Sequence, residues 1–288
     1  MRTDRARAAN RAAFAQLVAR PERELDLARG ALLIAAAGRP QVDPEAALGE
    51  LERLAQEVLT RSGTPLRTPG RWVDDADDLA ALLEQVHEVL YRRAGFHAAG
   101  PATGTLPAHS LFDLVVSERV GLPISLAIVE LEVGRRVGLP LHGIGLPGHF
   151  IIGGPGGLML DPADDGRRLT RDDCQALIRR ALGEPLLLRD GMLRPAGKRE
   201  ILSRMLRNLR IAQLVARDWP AALAAIELLE VLEPANAEHP RDRGLLLGRM
   251  GRFSDAVALL DAYLELDPDA PDAKDVRSAS RIFGDRRN

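Results

Sequence analysis

Two side chains in the sequence stand at a spacing that chemistry can use. His149 and Asp161 flank Gly153-Gly154-Pro155-Gly156-Gly157, a run that reads as a β-hairpin loop. With the loop centred on Pro155, residue 149 lies opposite residue 161, and both project from one face of the sheet. A carboxylate against an imidazole fixes the tautomer and aim of the ring, as a general base needs when it activates a nucleophile. The bland alternative is a histidine beside a strand-end aspartate with nothing to activate. Three residues compete to be that nucleophile. Ser125 lies near the start of an apolar helix, Ser110 precedes that helix and suits capping better, and Cys174 follows Asp172-Asp173, whose charges raise a thiol pKa. Cys174 therefore reads as a small packed residue.

Other chemistries find little support. His97, His109, His142 and His149 include no pair at the i, i+4 spacing of a helical metal motif, and no cysteine helps, so no metal is expected. Asp161 to Gly166 lacks the alternating ligands and distal Glu of a calcium loop and reads as a turn. The glycines at 153–157 join two strands and precede no helix, so they serve the turn rather than a phosphate; no nucleotide cofactor is implied.

The elements that must position these residues are mostly helical. Pro21 to Ala37 reads as one helix. A second starts at Asp43-Pro44, with Leu48, Leu51, Leu54, Ala55, Val58 and Leu59 on one face. Thr60 to Gly70 reads as a loop, and Asp74 to Asp78 as caps for a helix running to Arg93 and stopped by Gly95. A loop from Gly95 to Pro107 and a short helix within Leu111–Val120 follow. Gly121-Leu122-Pro123 then opens the most apolar helix of the chain, which ends before Gly138-Leu139-Pro140. Its apolar residues cover most of the circumference, which marks a buried central helix. Strands are expected at Leu139–Leu146, His149–Ile152 and Leu158–Leu160, giving a small antiparallel sheet.

Composition narrows the setting. In 288 residues, Lys+Arg 39 and Asp+Glu 41 give a net charge of -2, so no global field attracts nucleic acid or an anionic membrane. Aromatic residues are 3%, too sparse for a base-stacking platform. The longest apolar run near the start, Ala31 to Ala37, is far short of a membrane span, and the charged Met1–Asn10 precedes no signal-type core. With one cysteine, the expected location is cytoplasmic. From residue 199 onward the pattern is purely helical, and it repeats. Trp219, Ala222, Ile226, Leu232 and Pro234 recur as Phe253, Ala256, Leu260, Leu266 and Pro268, each 34 residues later. That is the tetratricopeptide period, with the aromatic filling the gap between a unit's two helices. Gly251 makes the inter-helix turn of the second unit, whereas Arg217 occupies that place in the first. Asp272 to Phe283 reads as the capping helix of the array.

Residues 110 to 162 resemble the transglutaminase-like domain of the bacterial SirB family, homologues of an invasion-gene regulator, in which such a domain precedes tetratricopeptide-like repeats. The resemblance rests on Ser110-Leu111 to Val120, Gly121-Leu122-Pro123-Ile124-Ser125-Leu126, Gly138-Leu139-Pro140-Leu141, Pro147-Gly148-His149-Phe150 and Leu160-Asp161-Pro162. His109 stands where the family usually has Asn. The resemblance implies a papain-like fold with a Cys at the N-terminus of the central helix, then a His and an Asp on adjacent strands. Aligning Ala127 and Gly138-Leu139-Pro140 with that pattern puts Pro123 at the nucleophile position, with His149 and Asp161 as the inherited pair. Ser125 lies ~200° around the helix from Pro123, so the two cannot face His149 alike.

The expected architecture is α+β: residues 1–198 form a transglutaminase-like domain with a helical N-terminal part, and 199–288 form the repeats with their capping helix. The expected function is that of a non-catalytic protein- or peptide-binding module, using the degenerate cleft or the repeat surface, with no nucleic-acid or membrane partner. The alternative is a hydrolase or acyltransferase using Ser125, or another group, with His149 and Asp161.

Overall fold

Proline, aspartate and glycine punctuation divides the chain into short, well-capped elements. The computed structural model describes residues 2–39, 41–63, 75–100, 106–183 and 186–287. Pro40, Asp74, and residues 64–70 and 101–105 of the two expected loops lie outside them. Five helices precede the central one: α1 (Arg2–Val18), α2 (Leu27–Ala36), α3 (Pro44–Ser62), α4 (Ala76–His87) and α5 (Phe112–Glu118). The central helix is α6 (Pro123–Val137), and α7 (Arg171–Leu182) follows the sheet. The C-terminal array comprises α8 (Lys198–Val215), α9 (Trp219–Leu232), α10 (Glu238–Arg249), α11 (Phe253–Leu266) and α12 (Ala273–Asp285). The chain is therefore α+β. No helix among the described residues is long and apolar enough to cross a membrane.

The caps explain the breaks. Asp43 accepts from the N–H groups of Glu45 and Ala46 ahead of Pro44, and Asp75 does the same for Asp77 and Asp78. The helix expected over Pro21–Ala37 is instead a 3-10 turn, Glu22–Glu24, followed by α2. Asp26 makes the division, because its carboxylate accepts from Arg29 N–H at 3.0 Å and starts a new helix there. Helix α4 continues into a π-helical segment, Glu88–Arg93. Ser110 does not cap: α5 begins from Leu111, and the Ser110 hydroxyl is buried without a hydrogen bond.

Helix α6 is buried from Ile124 through Gly134, and α2, α3, α4 and α5 pack around it. Gly138, at φ 91°, stops it, with Leu139 N–H donating to the Gly134 carbonyl at 2.8 Å. A two-stranded parallel ribbon joins β1 (His97–Ala98) to β2 (Val120–Gly121) beside its N-terminus. The main sheet is antiparallel: β3 (His142–Ile144), β4 (Ile151–Gly153), β5 (Met159–Asp161) and β6 (Arg167–Arg168) follow in spatial order. The expected strands at Leu139–Leu146 and His149–Ile152 are thus shorter, and His149 precedes β4. The hairpin is also centred one residue later than expected. Ile152 pairs with Leu160 and Gly153 with Met159, while the turn occupies Pro155–Gly157. Gly153 belongs to the strand and pairs with His142 of β3, where a Cβ would come within 2.4 Å of the imidazole Nε2, so only glycine fits.

The 34-residue repeat is visible in the helices, since α9 and α11 begin and end 34 residues apart. Ala222 and Ala256 are fully buried, as are Ile226 and Leu260 within a per cent. The aromatic pair is only half-buried, and Phe253 stacks on Phe283 of α12 at 5.9 Å between ring centroids. The turns match bond for bond. Asp218 N–H donates to Gln213 O and Arg252 N–H to Leu247 O, both at 2.9 Å. Arg217 adopts φ 59° where Gly251 adopts 79°, so the turn is kept by a residue that resists it. Helix α8 also belongs to the main core: Ile201, Leu202, Met205, Leu206 and Leu209 are buried there with α2 and α6.

Glu233, after α9, ties the array together by accepting from Ser203 of α8, from Arg207 at 2.7 Å and from His239 at 2.7 Å. Burial pushes its carboxyl up, but these hydrogen bonds and the Arg207 charge outweigh that and hold it at about 2.

Two substitutions test this account. Arg217→Gly should raise stability by about 1 kcal/mol in urea unfolding, because glycine carries no Cβ penalty at positive φ. Glu233→Gln should lower stability at neutral pH by roughly 2 kcal/mol. The folded pKa lies below the ordinary 4.5, so this contribution is present above that value and fades as the pH falls toward about 2, where variant and parent should converge.

Candidate functional site

The site is built on one turn. Leu146-Pro147-Gly148-His149 has proline then a glycine at φ 73°, the type II pattern, and His149 N–H donates back to Leu146 O at 3.2 Å. Glycine is needed twice over, because a Cβ at 148 would also stand 2.4 Å from that of Ala181 in α7. The turn delivers His149 to Asp161. Nε2 donates to Oδ1 at 2.9 Å, with the two side chains 15% and 5% exposed. With the hairpin recentred, Asp161 is opposite Ile151, so the imidazole reaches it diagonally along one face. The parity of the spacing is unchanged, which keeps both residues on that face.

Asp161 is itself pinned. Its Oδ1 also accepts from Ala163 N–H at 2.9 Å, and its carbonyl accepts from Gly166 N–H at 2.9 Å. Gly166 lies against the His87 ring, where a Cβ would come within 2.5 Å of Nε2. His87 is in turn bound through Nε2 to Glu130 Oε1 at 3.0 Å, and the Tyr91 hydroxyl donates to Glu130 Oε2. Burial, then the Glu130 charge, pushes the Tyr91 phenol well above its ordinary range. Helix α6 thus supports Asp161 from behind through Glu130. Two acids, Glu130 and Glu132, in the middle of a largely apolar, all-round-buried helix were the available sequence signal for such a network.

In front, His149 shares a cleft of about 290 Å³ with Leu122, Pro123 and Ile124 at the start of α6, and with Arg204, Asn208 and Ile211 of α8. Arg204 donates to the carbonyls of Leu146 at 2.8 Å and His149 at 2.6 Å, clamping the turn, and its guanidinium lies 5.5 Å from the Phe150 ring centre. No pattern in this arginine-rich sequence distinguished Arg204. With Nε2–H engaged by Asp161, Nδ1 is the nitrogen left to take a proton from a neighbour. Pro123, at the first position of α6, carries only a hydrocarbon ring. Ser125 is fully buried, its hydroxyl makes no hydrogen bond, and it does not line the cleft, so it is not brought to His149. Cys174 is also fully buried, 3.7 Å from the Met159 sulfur, and burial, then Asp173, pushes its thiol up. No group of three His, Cys, Asp or Glu side chains that could hold a metal occurs among the described residues.

Residues 45–207 match the transglutaminase-like superfamily, and residues 209–281 match the tetratricopeptide repeat. The chain belongs to the transglutaminase-like superfamily. It is similar to the UPF0162 protein of Pseudomonas aeruginosa, at 35% identity over 76% of this chain and 77% of that one. The UPF0162 protein of Xylella fastidiosa strain 9a5c is 36% identical over 59% of this chain, which spans 63% of that relative's length. The UPF0162 protein of Vibrio cholerae is 26% identical over 87% of this chain and 89% of that one. No solved structure matches. The transglutaminase-like match ends within α8, the helix that also walls the cleft.

Gly148→Ala should destabilise the protein by about 2 to 4 kcal/mol, since it combines a strained φ with a steric overlap. Urea unfolding measures the loss, and nitrogen-15 NMR of the His149 ring should show its single hydrogen-bonded tautomer giving way to a mixture.

Proposed function

We propose that the chain is a non-catalytic transglutaminase-like protein of the SirB kind, acting in the cytoplasm by binding a protein or peptide. The observation that carries this reading is Pro123. The His149–Asp161 pair is oriented as a base would be, and the position facing it across the cleft has nothing to deprotonate. Retained geometry without a nucleophile is what remains when a catalytic cleft serves for binding. The tetratricopeptide match supports a protein or peptide ligand, because such arrays present extended surfaces to other chains. We assign residues 1–198 to the transglutaminase-like part and 199–288 to the repeats, with α8 shared by both cores. The single cysteine, free and buried, suits a reducing compartment.

The test restores what is missing. The unmodified protein should not hydrolyse acyl substrates or react with a fluorophosphonate. Pro123→Cys should create a thiol titrating below the ~8.5 of an exposed cysteine, because the helix N-terminus and His149 both favour the thiolate. Iodoacetamide should modify it faster than Cys174 near neutral pH, and His149→Ala should remove much of that advantage. An introduced thiol indifferent to His149 would show that Pro123 is not the nucleophile position. Fluorophosphonate labelling of the parent that vanishes in Ser125→Ala would establish the hydrolase instead.

A further inference from the structure

Among the described residues, Arg204 is the one Arg or Lys lining the cleft, and it forms no ion pair with a carboxylate. Glu200, the nearest acid acting on it, is held by Arg194 through both oxygens at 3.0 and 3.1 Å. Of the five N–H donors of its guanidinium, those facing Leu146 and His149 are engaged, and the others remain. Asp161 does not line the cleft: it lies behind His149, its Oδ1 engaged by the imidazole and by Ala163 N–H. The lining of the cleft therefore offers one guanidinium and no carboxylate. The first turn of α6, which bounds it, has neither a side-chain cap nor an acidic residue. The remaining lining is apolar apart from the Asn208 amide, which has no hydrogen-bond partner among the described residues. Outward along α8 the apolar surface continues through Ile211 and Val215, 53% and 64% exposed and one turn apart.

We propose that this cleft receives the C-terminal carboxylate of a polypeptide ending in an apolar residue, bound by Arg204 and Asn208, with the preceding residues lying over Ile211 and Val215. The proposal rests on the non-catalytic reading above. One guanidinium in the lining pairs with one carboxylate, whereas a phosphate dianion would bring a second charge with no cation to meet it in a half-apolar pocket. A cleft of about 290 Å³ is at the small end of ligand pockets, the size of a carboxylate with one apolar side chain. Because α8 is also the first helix of the repeat array, the bound chain leaves the cleft along the repeats.

The experiment titrates the nitrogen-15-labelled full chain with acetyl-Ala-Ala-Leu as free acid, as its C-terminal amide, and with acetyl-Ala-Asp-Ala amide. The free acid should shift the backbone amides of Ile124 and Gly148 and the side-chain amide of Asn208. It should bind at least about tenfold more tightly than either amide peptide. Asn208→Asp, which leaves the Leu146–His149 turn untouched, should weaken the acid about tenfold or more and leave the amide unchanged. Equal binding of acid and amide, no shifts from any probe, preference for the internal Asp, or tighter binding of inorganic phosphate would each overturn the proposal. An acid preference insensitive to Asn208→Asp would do so too, by placing the carboxylate elsewhere. Catalysis in the unmodified protein would refute the non-catalytic reading while leaving the carboxylate preference as measured, so the two failures are distinguishable.

Discussion

Burying α6 on its whole circumference is the requirement from which the other packing follows. A helix with apolar side chains on every face leaves no side for water, so α2 to α5 and the sheet must close around it, and α8 completes the enclosure. The carboxylates on such a helix then need internal partners. Glu132 finds Arg135 and Arg136, and Glu130 finds His87 and Tyr91. Because its middle cannot shift, its two ends become fixed points. One presents Pro123 to the cleft, and the other, at Gly138, launches the sheet that brings His149 back to it.

What the sequence revealed follows the range of the forces involved. Capping and helix punctuation are local, and Asp43-Pro44, Pro123 and Gly138 were readable where they stand. The 34-residue period was readable because each repeat solves the same packing problem with the same small and aromatic residues. The hairpin register was not: a glycine-rich run offers few side chains to fix its centre, and the place of Gly153 in β4, paired with His142 of β3, is a contact across the sheet. The Asp26 break failed for a subtler reason: an aspartate inside a helical pattern either caps or is carried along, and only the surroundings decide. Arg204 was invisible since its partners are carbonyls, which every residue carries.

The site shows how a reactive geometry can outlast its reaction. Proline at the first helical position has no N–H to leave unsatisfied and a φ already suited to the helix, so it is a good opening residue for α6 on structural grounds alone. The support behind His149 does not depend on what faces it. Asp161, Gly166 and the Glu130 network are held by burial and backbone hydrogen bonds, so the imidazole stays aimed whether or not a nucleophile is present.

Arg199 and Lys198, at the start of α8, donate to the carbonyls of Val18 and Leu25, so the connection between α1 and α2 is sewn to the helix that begins the repeats. Together with the α8 side chains in the main core, this makes the repeats a poor candidate for exchange by recombination. A graft that begins anywhere in α8 brings half a core with it and leaves half behind. At the other side of the array the coupling is nearest-neighbour only, with Phe283 of α12 stacked on Phe253 of α11. Descent in such a protein should therefore conserve the junction as a single inherited block.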